Sequence, residues 1–268
     1  MTRATSPTWT RVLTIGGSDS GAGAGIQADL KTAAALGAYA TTALTAITAQ
    51  NTSGVTRMKA LEPSLVEAQI RAVLEDIGAD AIKVGMLANA AVIRAVAATL
   101  AELRGAVPIV LDPVMLAKGG AELLDPSAKD ALVERLFPLT TLVTPNADEA
   151  AALTGARVES EADLVLAARK VQALGAPNVL AKGGHLAGDD LADALSRADG
   201  TVVMFRSKRW SLENVHGTGC TLATAIAVGL GRGLALEIAI GAARDYLRKA
   251  VAATTERLGK GPNRVLRH

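Results

Sequence analysis

The sequence predicts an α/β fold in which a central, mostly parallel sheet lies between two layers of helices. Three observations carry this expectation. Short apolar runs alternate with longer stretches of helical period along most of the chain, which is the beat of strand–helix–strand units. With 268 residues, half of them hydrophobic, the chain has enough apolar surface for one large domain. Polar and glycine-rich clusters fall just after the strand-like runs, where open parallel sheets place their ligands.

Taken in order, residues 1–10 carry Thr, Ser and Pro without periodicity and read as a disordered tail ahead of a single domain over 11–268. A strand at 11–17 leads into a helix at 24–37 and a second strand at 40–49. Gly54–Ala60 reads as a small β element added at an edge near the site. The alternation continues through helix 63–78, strand 81–86, helix 89–104, strand 108–113 and helix 126–137. Strand 141–145, helices 147–154 and 159–174, and strand 178–183 follow. At 193–207 the rhythm breaks, and Ala198-Asp199-Gly200 marks the turn of a hairpin. Helices at 218–230 and 235–258 complete the pattern.

Composition narrows the function. Net charge is +2 with acids and bases mixed, and aromatics make up 2% of the chain, so neither a basic stripe nor a stacking platform for nucleic acid is present. A single cysteine excludes an internal disulfide framework, and the first residues hold no apolar signal core. No apolar run reaches about 18 residues, so no membrane span is expected and a cytoplasmic location is.

Seven clusters should gather on one rim of the sheet: Gly16-Gly17-Ser18-Asp19, Gln50-Asn51, Gly85-Met86, Asp112-Pro113, Pro145-Asn146, Lys182-Gly183-Gly184 and Gly217-Thr218-Gly219-Cys220. The last is the most informative. Glycines on either side of Thr218 let successive N–H groups and the positive end of the next helix converge on an anion. Cys220 falls in the first turn beside that anion, where a thiol is expected to have a lowered pKa and to take a proton or attack. Taken alone, the tetrapeptide is equally a glycine loop opening an ordinary buried helix.

The first glycine cluster, residues 16–25, fails the tests of familiar nucleotide loops. Gly25 is followed by Ile26-Gln27 where a P-loop needs Gly-Lys-Ser/Thr, and Ile26 stands where a dinucleotide fingerprint needs its third glycine. It reads as a loop whose backbone approaches a small flat substrate, with Asp29 one turn into the helix. Asp112 and Glu149 are candidates for magnesium, held directly or through water, although Asp112 also suits a turn and Glu149 the first turn of a helix capped by Asn146. Lys182, ahead of two glycines, suits triphosphate oxygens. His185, His216 and His268 share no metal spacing. Trp210 contacts a base or fills a gap, and the sequence does not choose.

These motifs, in this order, resemble the hydroxymethylpyrimidine/phosphomethylpyrimidine kinases of thiamine biosynthesis, members of the ribokinase-like superfamily. The resemblance rests on residues 14–32, Thr48-Ala49-Gln50-Asn51-Thr52, Lys83-Val84-Gly85-Met86-Leu87 and Leu111-Asp112-Pro113-Val114-Met115. Thr144-Pro145-Asn146, Lys182-Gly183-Gly184-His185 and His216-Gly217-Thr218-Gly219-Cys220 extend it to nearly the whole chain. It implies a three-layer α/β/α sandwich and an enzyme that uses ATP and Mg²⁺ to phosphorylate 4-amino-5-hydroxymethyl-2-methylpyrimidine and then its monophosphate. By the same resemblance, Gly217, Thr218 and Gly219 form the anion hole and Cys220 takes the base position. Asn146, Glu149, Asp112, Lys182 and Thr218 face ATP and metal. Gly17, Ala24, Asp29, Gln50 and Met86 fall on the pyrimidine pocket, and a homodimer is implied. Gln50 keeps a second substrate open, because a side-chain amide also suits a pyridine bearing a hydroxyl, as in pyridoxal-type relatives.

Overall fold

The computed structural model describes residues 9–103, 105–116, 123–184, 190–210 and 212–268. Its centre is a nine-stranded sheet in the order β3-β2-β1-β4-β5-β6-β7-β8-β9. These strands are β1 (Arg11–Asp19), β2 (Tyr39–Asn51), β3 (Gly54–Ala60), β4 (Ala81–Val84), β5 (Ile109–Leu111), β6 (Leu142–Val143), β7 (Val179–Lys182), β8 (Asp190–Ser196) and β9 (Val202–Lys208). From β2 to β7 every neighbouring pair is parallel, whereas β3, β8 and β9 join antiparallel at the two edges. Both departures from parallel order were legible: the edge strand at 54–60 and the hairpin, whose turn holds Gly200 at φ 82°.

Successive residues of a strand face opposite sides, so each strand feeds two cores. Leu13 and Ile15 of β1 pack into one, and Val12 into the other. The first core is closed by α2 (Pro63–Asp76), α3 (Ala90–Ala101), α5 (Ala147–Thr154) and α6 (Glu161–Ala173). The second is closed by α1 (Gly25–Ala35), α7 (Thr218–Gly231) and α8 (Leu236–Ala253). This is the three-layer sandwich.

The segment expected as a regular helix at 126–137 is broken. A 3-10 turn at Pro126–Ala128, the single turn α4 (Lys129–Ala131), a π-helical Leu132–Leu136 and a second 3-10 turn at Phe137–Leu139 follow one another. The wide π turn lets Leu132, Leu136 and Phe137 all reach the core, each at most 2% exposed. Pro138 then lacks the N–H that a continuing helix needs.

Of the residues read as a tail, 1–8 lie outside the described residues. Thr10 is held, since its carbonyl accepts the Tyr39 N–H at 2.8 Å, and the Trp9 ring lies edge-on to Tyr39. Two short strands, β10 (Val215–His216) and β11 (Arg264–Val265), pair in parallel and carry no local sequence signal. Among the described residues no helix is long and apolar enough to cross a membrane.

Candidate active site

All seven clusters contribute to one cavity of about 720 Å³ at the carboxyl rim of the parallel strands. Gly17, Ala24, Gln50, Met86, Asp112, Asn146, Glu149, Lys182 and residues 217–220 line it. A second cavity of about 150 Å³ is lined by Asp193, Ser207, Trp210, Leu222, Arg244 and Leu247. The two share Asn146, Lys182, Thr218 and Gly219. The residues expected to handle phosphate thus stand between two chambers, and Trp210 belongs to the smaller one.

The loop expected to form the anion hole interlocks with the first glycine loop. Gly217 caps α7 at φ 84° and has no side chain to occupy the helix's first N–H groups. A Cβ there would also fall onto the carbonyl oxygen of Gly23. Positive φ is thus needed at Gly217 and not at Gly219, which already lies within α7. At Gly219 the constraint is space instead: a Cβ would stand 3.1 Å from Asp112 Oδ2 and 3.3 Å from Lys182 Nζ, so these two side chains would have to give way.

Asp112, freed from the sheet just after β5, accepts Lys182 Nζ at 2.7 Å and the Thr144 hydroxyl at 3.1 Å, both on Oδ1. Lys182 is the last residue of β7, at the rim. Burial disfavours its charge, yet Asp112 and Glu149 more than reverse this and hold its pKa above the ordinary value. Glu149 does two things. Its Oε2 accepts the Asn146 N–H at 2.7 Å while Asn146 Oδ1 accepts the Glu149 N–H at 2.8 Å, a capping box that orients α5. Its carboxyl also lines the cavity, where burial pushes the pKa up to about 7 against the pull of Lys182.

Two expectations are corrected. Asp29 does not line the cavity: it is fully buried beneath it, with Oδ2 2.9 Å from Lys83 Nζ and Oδ1 accepting the Thr224 hydroxyl at 2.8 Å. The buried ammonium of Lys83 claims this carboxylate, and Lys83, not Asp29, reaches the cavity wall. Burial works against that ammonium, but the negative charge of Asp29, with that of Asp112, keeps it protonated. Cys220 is the second correction. Burial pushes its thiol up to about 11, and neither the Lys83 charge nor the Gly25 N–H brings it below a free thiol.

Several site residues carried no assigned role in the sequence. Asp19 organises the first glycine loop, with Oδ1 accepting the Gly21 N–H at 2.8 Å and Oδ2 those of Gly23 and Ala24 at 3.0 and 2.9 Å. Burial alone would raise its pKa; His216 and these N–H groups outweigh it and hold the carboxyl low. His216 brings Nε2 to 3.1 Å from Asp19 Oδ2 and 2.9 Å from Gln50 Nε2. His268 lies away from the cavity, its Nδ1 near Tyr246 and Thr32, and His185 lies outside the described residues. Asp19 and His216 were legible as polar residues after strands, but nothing local to 19 or 216 shows that they meet.

Residues 19–265 match the phosphomethylpyrimidine kinase model. The chain belongs to that family. It is 51% identical over 251 residues to the thiamine biosynthesis bifunctional protein ThiED of Geobacter sulfurreducens, covering 93% of this chain and 50% of the relative, so it spans half that relative's length. It is 48% identical over 243 residues to the hydroxymethylpyrimidine/phosphomethylpyrimidine kinase of Streptomyces coelicolor, covering 90% of this chain and 88% of the other. An ADP complex of Bacillus subtilis pyridoxal kinase superposes with a TM-score of 0.86 at 34% identity, covering 97% and 98% of the two chains.

Proposed function

We propose that this chain transfers the terminal phosphoryl group of ATP first to 4-amino-5-hydroxymethyl-2-methylpyrimidine and then to the monophosphate. The observation that carries this reading is the pair of cavities meeting at Asn146, Lys182, Thr218 and Gly219. The pyrimidine occupies the larger chamber against Gly17, Met86 and Gln50; the nucleotide occupies the smaller one beside Trp210 and Arg244. The transferring group then lies over the first N–H groups of α7.

Phosphoryl transfer asks mainly for positioning and for fixed positive charge around the equatorial oxygens. The α7 amides and the Lys182 ammonium supply both. Magnesium fits the donor set. Asp112 and Glu149 are hard oxygen ligands beside Lys182, and no group of three or more His, Cys, Asp or Glu among the described residues could hold an ion by itself. That is the pattern of an ion carried largely by nucleotide phosphates, where it neutralises charge. The Asp112 and Glu149 carboxylates would hold it from the protein side.

The proton of the hydroxymethyl group is the open chemical question that Cys220 answers. With its pKa near 11, about one thiol in ten thousand is ionised at neutral pH. A thiolate base is therefore scarce in the resting chain, and the alcohol step should depend on pH. The monophosphate, already ionised, needs little help.

The experiment is a coupled assay of the purified chain with ATP, Mg²⁺ and each of three acceptors: the hydroxymethylpyrimidine, its monophosphate and pyridoxal. Diphosphate formation from the first two supports the reading, and turnover of pyridoxal alone replaces it. The pyridoxal alternative is favoured by the B. subtilis superposition and by the Gln50 amide. We further read the nine-stranded sheet as one domain and, from the family likeness, expect two copies in solution, which sedimentation would measure.

A further inference from the structure

Hydrogen counting around Gln50 goes one step beyond that function. The structure places Gln50 Nε2 2.9 Å from His216 Nε2 and Gln50 Oε1 3.1 Å from Thr48 Oγ1, and the hydrogens of these partners argue for the opposite sense. Each partner has a prior commitment. The Asp19 carboxylate, which only accepts, stands 3.1 Å from the same His216 Nε2, and a charge-assisted bond outranks one to a neutral amide. The Nε2 hydrogen therefore belongs to His216 and points toward Asp19. Thr48 has a single hydroxyl hydrogen, and the Ser18 carbonyl accepts it at 2.8 Å, which leaves Thr48 Oγ1 as an acceptor toward Gln50.

An amide can satisfy both neighbours in one sense only, since its two ends are told apart by the partners they meet. We propose that the Gln50 amide is turned over relative to that placement and locked by His216 and Thr48, its carbonyl toward His216 and its NH₂ toward Thr48, so that the ring substrate is read in a single sense. The carbonyl shares the His216 hydrogen with Asp19, and one N–H goes to Thr48. The remaining lone pair and the remaining N–H face the ligand. An aminopyrimidine offers the complementary pair, its amino group to the carbonyl and its adjacent ring nitrogen to the N–H.

The surroundings hold this lock in place. The Ser20 hydroxyl donates to the Gln50 backbone carbonyl at 2.7 Å and accepts the Gln50 backbone N–H at 2.8 Å, which fixes the main chain that carries the amide. A Cβ at Gly23 would stand 2.6 Å from His216 Cδ2, so only glycine leaves room for the ring. The ligand in this inference rests on the pyrimidine reading above; the orientation of the amide rests on the hydrogen count.

Two measurements test it. Nitrogen-15 NMR of histidine-labelled protein without substrate reports which ring nitrogen of His216 carries hydrogen. The signal is assigned by its loss in His216→Phe or, if that variant does not fold, by its shift in Gln50→Leu. Hydrogen on Nε2 is expected, and an Nδ1–H tautomer with bare Nε2 overturns the proposal. Equilibrium binding then compares the aminopyrimidine alcohol with its 4-oxo analogue, whose C=O and N–H reverse the pattern. Wild type should prefer the amino compound by about tenfold or more. Thr48→Val should free the amide and shrink the ratio to within about threefold, while Thr48→Ser keeps it. Equal wild-type binding of the two, or an unchanged ratio in Thr48→Val, overturns the lock. A chain with hydrogen on His216 Nε2 that phosphorylates no pyrimidine would sink the functional reading and still support the amide assignment.

Discussion

Two lysine–aspartate pairs lie within one site and differ in what surrounds them. Lys83 and Asp29 are sealed, at 1% and 0% exposure, and tie β4 to α1 and, through Thr224, to α7. Lys182 and Asp112 stand where the two cavities meet, at 12% and 3%. The same chemistry thus serves as a fixed brace in one place and as a charge open to ligand in the other. Burial decides the difference: Lys83 reaches the cavity wall but is 1% exposed over a sealed Asp29, whereas Lys182 is 12% exposed, and only an accessible charge can exchange its partner for a phosphate or a cation.

The largest expected effect comes from cutting the brace. Lys83→Met leaves Asp29 buried without a counter-charge and should cost about 3–5 kcal/mol of stability, read from urea unfolding. Replacing both, Lys83→Met with Asp29→Leu, should recover most of that loss. If the single variant unfolds at the wild-type urea concentration, the pair is no brace. Lys182→Ala should invert the pattern, lowering kcat about 10²–10³-fold while the unfolding midpoint moves less than in Lys83→Met. Comparable stability losses in the two variants would erase the contrast.

Smaller effects sharpen it. If Cys220 takes the alcohol proton, kcat/KM for the hydroxymethyl substrate should climb about tenfold per pH unit from 7 to 9, since the thiol ionises near 11, whereas the monophosphate step stays flat. Cys220→Asp should flatten the first profile. Equal profiles in the wild-type chain would assign the thiol to packing. The smallest effect belongs to Glu149: if it holds magnesium, proton and metal compete for one carboxylate. With a pKa near 7, the magnesium concentration for half-maximal rate should rise as pH falls through 7 and level off above it. Glu149→Gln should remove that pH dependence.

The sequence made the rim legible because each cluster falls at or just after the end of a strand, and strand ends can be found locally. Asp112 and Gly217 stand just after their strands, while Lys182 is the last residue of β7 and Gln50 the last but one of β2, all on the cavity. What it could not show is pairing across the chain. Asp29 was placed in the pocket by the family resemblance; the ammonium that draws it under the floor comes from Lys83, 54 residues away. The Cys220 pKa went astray for the same reason, since a helix start favours a thiolate but the burial that outweighs it comes from distant elements. The break at 132–139 reflects a local conflict, in which helical period and core filling disagree by one residue.

The pairing of β10 with β11 also sets a timetable. Val265 lies opposite His216, and the Gly261 N–H reaches back 209 residues to the Thr52 hydroxyl. A growing chain can stack its sheet and most of its helices while still on the ribosome, since domains form as their residues emerge. The strand pairing behind His216, on the wall of the larger cavity, must wait until residue 265 has cleared the exit tunnel. Catalytic competence should therefore arrive late and all at once, and a prematurely terminated product lacking those residues should be a folded sheet that phosphorylates nothing.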